Sequence, residues 1–242
     1  MLRSLRDLLG ACFRGVADAV NGQRQFAAYR ERTAARPPLL ILLGDSNLHY
    51  TGTKDAVGKW MHRAFGTYWS YPSVANIIAR ELPGCLVRIH SHGLHVPRQT
   101  LDTIADFCHA DPEREKHILI LVGQNDAHQW SLPGTTRVED LAVSMEEFRA
   151  WVLRQMERLG DFMNGLPHTT LHWAVPFDDS PDHFIQAYVS MCDILKEEIK
   201  KLPGAVILGD YNNFENDHYH LMLCDRFVLA RRLMSWFELT RQ

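Results

Sequence analysis

Several short runs of this chain, among residues 39–43, 85–90, 117–122, 170–175 and 205–208, are apolar almost throughout rather than alternating. A strand with no polar face has none to give to water, so it must be covered on both sides, as strands of parallel sheets are. Parallel neighbours in turn need long crossovers, usually helices. The intervening sequence supplies them. Val138, Leu141, Met145, Phe148, Val152, Met156 and Leu159 recur by steps of three and four, as do Phe184, Tyr188, Cys192, Leu195, Ile199 and Leu202. A last amphipathic stretch runs through Phe227, Met234 and Phe237. Glu81-Leu82-Pro83-Gly84 and Lys201-Leu202-Pro203-Gly204, with the similar Gly165-Leu166-Pro167, each stop a helical pattern just before a strand. Five strands separated by helices predict an α/β, doubly wound domain of about 200 residues.

Composition fits that expectation. With 242 residues, 46% hydrophobic and 23% charged, the chain is neither disordered nor collagen-like. A net charge of −3 gives no overall basic field, so no nucleic-acid partner is expected. The five cysteines are scattered and form no CxxC, which suits free thiols in a reducing, cytoplasmic setting. The apolar runs are far short of the roughly 20 residues of a membrane span, and Arg3, Arg6 and Asp7 interrupt any signal-peptide core.

Residues 1–36 differ from the rest. Seven Arg and three acids give this segment +4 and leave −7 for the remainder. Leu2, Leu5, Leu9, Phe13, Val16 and Val20 share one helical face. A basic amphipathic helical segment, docked on the domain or weakly touching a membrane surface, is expected over residues 1–36, with the catalytic domain over 37–242.

In open α/β sheets the chemistry lies beyond the carboxyl ends of the strands. Gly44-Asp45-Ser46-Asn47 follows the first run and would expose Ser46 at a strand-to-helix turn, near backbone N–H groups. The same residues also make a plain helix cap. Gly93, within His90-Ser91-His92-Gly93-Leu94-His95, can bring its N–H close to a reacting oxygen or simply form a turn. Asn125, in Gly123-Gln124-Asn125-Asp126, can offer a side-chain N–H to a developing oxyanion. Asp217 stands three residues before His220, so it can turn back to orient the imidazole that takes a proton from a serine. Read singly, each motif has a bland structural meaning; read together, they supply a nucleophile, oxyanion donors and an acid–base pair in chain order.

These four blocks resemble those of the SGNH, or GDSL, hydrolases. The resemblance spans residues 39–221 and implies a flavodoxin-like three-layer α/β/α sandwich with a five-stranded parallel sheet, and a metal-independent serine esterase without a cofactor. It further implies Ser46 as nucleophile, His220 as general base and then acid, Asp217 as its partner, and an oxyanion hole of the Ser46 and Gly93 N–H groups with the Asn125 amide. Two positions depart from the family pattern: Asn47 stands where Leu is usual, and His95, Val96 and Pro97 stand where the second block usually has a further glycine. The substrate expected is a small-molecule ester, an acyl group such as acetyl on a carbohydrate or lipid-like alcohol.

Other readings share parts of the pattern. An O-acyltransferase would use the same triad, though such enzymes generally lack the Gly-x-Asn-Asp block. A non-catalytic SGNH-like module binding RNA or protein would be marked by loss of Ser46 or His220, and both are present. A metal-dependent phosphoesterase would need Asp-x-His on the first strand and Gly-Asn-His, which are missing. His218 is the rival of His220, disfavoured as the immediate neighbour of Asp217. His49, His92, His95 and His128, with Tyr50, Trp60, Trp69 and Trp130, could line a partly aromatic cleft or merely pack.

Overall fold

The computed structural model describes residues 37–49, 63–64, 72–82, 84–131, 141–175, 186–207 and 223–240. The N-terminal segment 1–36, most of 50–71, and Asp217 and His220 therefore lie outside the described residues. The elements are β1 (Leu39–Gly44), α1 (Ser46–His49), α2 (Val74–Glu81), β2 (Leu86–His90), α3 (Arg98–Ala110), β3 (Lys116–Leu121), α4 (Gln124–Ser131), α5 (Leu141–Asn164), β4 (Thr169–Ala174), α6 (Gln186–Lys200), β5 (Ala205–Val206) and α7 (Leu223–Thr240). The five strands form one parallel sheet in the order β2-β1-β3-β4-β5, the doubly wound arrangement in which the chain reverses direction of build at β1 and β3.

The apolar runs become strands for the reason the sequence suggests. Every residue of β1 is buried, and its side chains alternate between two cores. Leu39, Ile41 and Leu43 join Leu101 and Ile104 of α3, Phe148, Val152 and Leu159 of α5, and Met191 and Leu195 of α6. Leu40 and Leu42 face the opposite way, onto Val74 and Ile78 of α2 and Leu229, Leu233 and Phe237 of α7. The sheet thus lies between two helical layers, and each fully buried Leu or Ile contributes about 1.5–3 kcal/mol. Three of the five cysteines, Cys85, Cys108 and Cys192, are buried and in no disulfide. Among the described residues, no helix is long and apolar enough to cross a membrane.

Ends of elements follow local chemistry. The Ser73 hydroxyl caps α2 by accepting the Asn76 N–H at 3.1 Å. Helix α5 is described from Leu141, and Val138, the first residue of the periodic pattern, lies outside the described residues. Lys116 opens β3 wholly buried, its Nζ donating to the carbonyls of Arg114 at 2.5 Å, Pro167 at 3.2 Å and Pro112 at 3.4 Å. A buried ammonium is tolerated only with such partners.

A second polar inclusion lies on the α7 face. His117 Nδ1 and His172 Nε2 stand 3.1 Å apart, His117 Nε2 meets the Glu115 carboxylate at 3.1 Å, and Trp236 and Phe237 cover the pair edge-on. Burial, reinforced by repulsion from His117, depresses the His172 pKa from 6.5 to about 4. The folded state therefore resists a proton that the unfolded chain accepts, so stability is lost as pH falls from about 6.5 toward 4. The loss should reach at most roughly 3 kcal/mol. Chemical denaturation of wild type and His172→Phe at pH 7 and pH 4.5 should show a smaller acid-induced loss in the variant; equal losses would contradict this assignment.

Candidate active site

The carboxyl ends of β2, β1 and β3 finish level with one another. Gly44 is in register with His90 on one side and Leu121 on the other, so the three following loops leave the sheet side by side. This is the switch point at which open α/β sheets bind ligands.

Ser46 begins the short helix α1 and is half-buried. The preceding Asp45 is almost fully buried and accepts the Asn47 N–H on its carboxylate at 2.9 Å, while its carbonyl accepts from Leu48 and His49, each at 3.2 Å. That cap fixes Ser46 at the first helical position, where the backbone N–H has no acceptor within the helix. The Asn47 side chain reaches across to the start of α4, its Nδ2 donating to Gln124 Oε1 at 2.7 Å. Thus the first and third blocks are tied by a buried amide pair, and Asn47, the departure from the family pattern, makes the tie.

The loop after β2 is held more tightly still. The Ser91 N–H donates to the Gly44 carbonyl at 2.9 Å, and the Ser91 hydroxyl donates to the Gly93 carbonyl at 2.8 Å. From α4, Asn125 Nδ2 donates to the His92 carbonyl at 2.8 Å, and Asp126 Oδ2 accepts the Leu94 N–H at 2.8 Å. The approach is so close that a β-carbon on Gly93 would lie 2.4 Å from Asp126 Oδ2, so any other residue there would have to displace the Asp126 carboxylate. Gly123, with φ of +124°, makes the turn that launches α4.

Ser46 at the start of α1, Gly93 in the loop after β2 and Asn125 in the first turn of α4 therefore all stand just beyond the level carboxyl ends of three neighbouring strands. One Asn125 N–H is engaged by the His92 carbonyl, and the amide carries a second. Asp217 and His220 lie outside the described residues. Residues that sequence reasoning gave no part in the site are Ser91, Gln124 and Asp126. All three stand inside the quoted blocks, but nothing in their spacing signals burial or partner.

The aromatic and histidine rim divides. His49 packs inward, its Nε2 3.2 Å from the Ile89 carbonyl, and burial foremost lowers its pKa to about 4. His92 and His95 are exposed, the latter 3.4 Å from Gln155. His128 packs edge-on against Tyr188. Trp130 packs on Phe148 and Trp151, alongside the core rather than in a cleft. Tyr50, Trp60 and Trp69 lie outside the described residues. A cavity of about 710 Å³ between α5 and β4, lined by Met156, Asp161, Thr170 and Trp173 among others, includes none of the predicted site residues. Among the described residues, no group of three or more His, Cys, Asp or Glu side chains is arranged to hold a metal ion.

No protein-family model matches this sequence, and no curated protein matches it. Solved structures do match. A carbohydrate esterase, whose active site is described as displaying divergent catalytic and non-catalytic binding functions, superposes with a TM-score of 0.50 at 14% identity. The match covers 84% of this chain and 69% of that one. This chain has the fold of that carbohydrate esterase. A protein described as a GDSL-like lipase, from Parabacteroides merdae, matches with a TM-score of 0.48 and 14% identity over 82% of this chain and 94% of its own. A catalytic mutant of an acetylxylan esterase from Geobacillus stearothermophilus gives 0.44 and 14%, over 83% and 95%. These proteins are of the GDSL and esterase kind that the four sequence blocks resemble.

Asp126 has a measurable consequence of its own. Burial outweighs the Leu94 N–H and raises its carboxyl pKa from 3.8 to about 6. For a carboxyl raised on folding, the folded state keeps a proton that the unfolded chain releases, so stability falls as pH rises from about 4 to about 6 and is flat above. The interval corresponds to roughly 3 kcal/mol. Asp126→Asn, which keeps an oxygen for Leu94, should therefore gain stability relative to wild type between pH 4 and pH 7 in urea denaturation. A difference between the two that does not change with pH would contradict the raised pKa.

Proposed function

We propose that this chain is a metal-independent serine esterase that removes a small acyl group, such as acetyl, from a carbohydrate or lipid-like alcohol. The observation that carries the reading is the placement of Ser46, Gly93 and Asn125 in the segments that follow the level ends of β1, β2 and β3. The shared fold with a carbohydrate esterase supports it, and the Asp217-x-x-His220 spacing supplies the remaining groups.

In this mechanism Ser46 Oγ attacks the ester carbonyl carbon while His220 takes its proton. The carbonyl π pair moves to oxygen, and the Ser46 and Gly93 N–H groups with the Asn125 amide receive the resulting oxyanion. Asp217 steadies the imidazolium. Collapse of the intermediate breaks the bond to the leaving alcohol, which takes the proton from His220, leaving an acyl-Ser46. A water molecule, deprotonated by His220, then attacks the acyl group, and its proton returns to Ser46 as the carboxylic acid departs. The cap on Ser46 and the ties to Gly93 have physical sense here, because donors fixed before the reaction cost no reorganisation when charge develops.

Hydrolysis of short-chain aryl and acetylated-sugar esters is the test. Ser46→Ala and His220→Ala should each lower kcat/KM by at least ~10³-fold, and Asn125→Ala should lower kcat by about 10²–10³-fold. A fluorophosphonate should label wild type at Ser46 and leave Ser46→Ala unlabelled. Activity of the wild type should survive a chelator. Full activity in Ser46→Ala would overturn the serine mechanism, and loss of activity on chelation would overturn its metal independence.

A further inference from the structure

The two peptide groups that flank Gly93 are each held by side chains. In the peptide joining His92 to Gly93, the carbonyl accepts from Asn125 Nδ2 at 2.8 Å. In the peptide joining Gly93 to Leu94, the carbonyl accepts from the Ser91 hydroxyl at 2.8 Å and the N–H donates to Asp126 Oδ2 at 2.8 Å. Because a peptide group is planar, fixing its carbonyl and its N–H fixes the plane. The second of these peptides is gripped at both ends, once from its own loop and once from α4.

We propose that Asp126 is the positioning residue of the Gly93 oxyanion donor, an inference that rests on the esterase reading above. It acts in two ways. Its carboxylate holds the Leu94 N–H, and it occupies the volume a β-carbon on Gly93 would need, with Oδ1 and Oδ2 both within 2.5 Å of that point. Asp126 is 8% exposed and faces the loop, not an open cleft, so it does not meet the reacting atoms itself. With its carboxylate gone, the Gly93–Leu94 peptide keeps only the Ser91 bond, and its rotation about the Gly93 α-carbon leaves the adjoining His92–Gly93 peptide, which carries the Gly93 N–H, anchored only through its carbonyl to Asn125 and free to swing that N–H out of aim. A donor out of aim weakens the transition state more than the bound ester, since the charge it meets exists only during reaction.

Three substitutions separate this role from mere packing. Asp126→Asn retains an oxygen for the Leu94 N–H and should keep kcat within about threefold of wild type. Asp126→Ala removes both acceptor and volume, and Asp126→Leu removes the acceptor while keeping the volume. Each should lower kcat by about 10–100-fold, below the ceiling for losing a whole donor, with KM changed less than threefold. Melting curves of every variant establish that the comparison is between folded proteins, and Asp126→Leu serves where Asp126→Ala does not fold.

The outcomes are distinct. Wild type that is labelled by fluorophosphonate, together with Asp126→Leu of unchanged kcat, overturns the positioning role while the esterase reading stands. A rise in KM at constant kcat overturns it equally. Wild type that neither hydrolyses esters nor takes the label removes the esterase reading, and the proposal falls with it. A kcat loss in Asp126→Leu that Asp126→Asn restores supports the proposal.

Discussion

Everything in this molecule hangs from β1. It is hydrogen-bonded along both edges, to β2 and β3, and covered on both faces, so all six of its residues are buried. A strand in that position cannot slip by one residue without turning Leu40 and Leu42 into the wrong core. Its register therefore fixes where Gly44 ends relative to His90 and Leu121, and through them where three loops begin. The accuracy of the candidate site is inherited from the packing of leucines some distance below it.

Above the strand ends, the governing force changes from burial to hydrogen bonding. Asn47 to Gln124, Asn125 to the His92 carbonyl and Asp126 to the Leu94 N–H are all bridges between loops that are distant in sequence. Each spends a polar group that would be costly to bury alone. Together they make three loops behave as one rigid surface, as a site must whose donors are to be in place before charge develops.

Most of the fold was legible in the chain because the strands are long in apolar character. Residues 39–43 and 117–122 have no polar face, and β1 and β3 form within a residue of those bounds. The order of the strands was not carried by periodicity, which reads each run by itself and not its neighbours. Within the site, Ser46 and Asn125 were legible because their residue types are restricted to a few chemical uses. Asp126 was quoted within its block yet given no role, since an aspartate after a turn reads as a solvated cap and only the approach of Gly93 reveals it as buried. Asn47 was read as part of a helix cap and as a departure from pattern, although it bridges two blocks. The His117–His172 pair was invisible for a similar reason, as two histidines in apolar runs do not announce that they meet.

Those buried groups lie in different places and have opposite protonic character. Asp126 belongs to the loops at the carboxyl ends of the strands, whereas His172 lies under α7. Below about pH 6 unfolding lets Asp126 give up a proton that the fold had trapped, and over much of the same range it lets His172 take up one that the fold had refused. For these two residues the exchange is nearly even. His49, whose imidazole burial also holds near a pKa of 4, takes up a further proton on unfolding, so in mildly acidic solution the carboxyl near the site offsets only one of these two buried imidazoles and the other draws on the buffer.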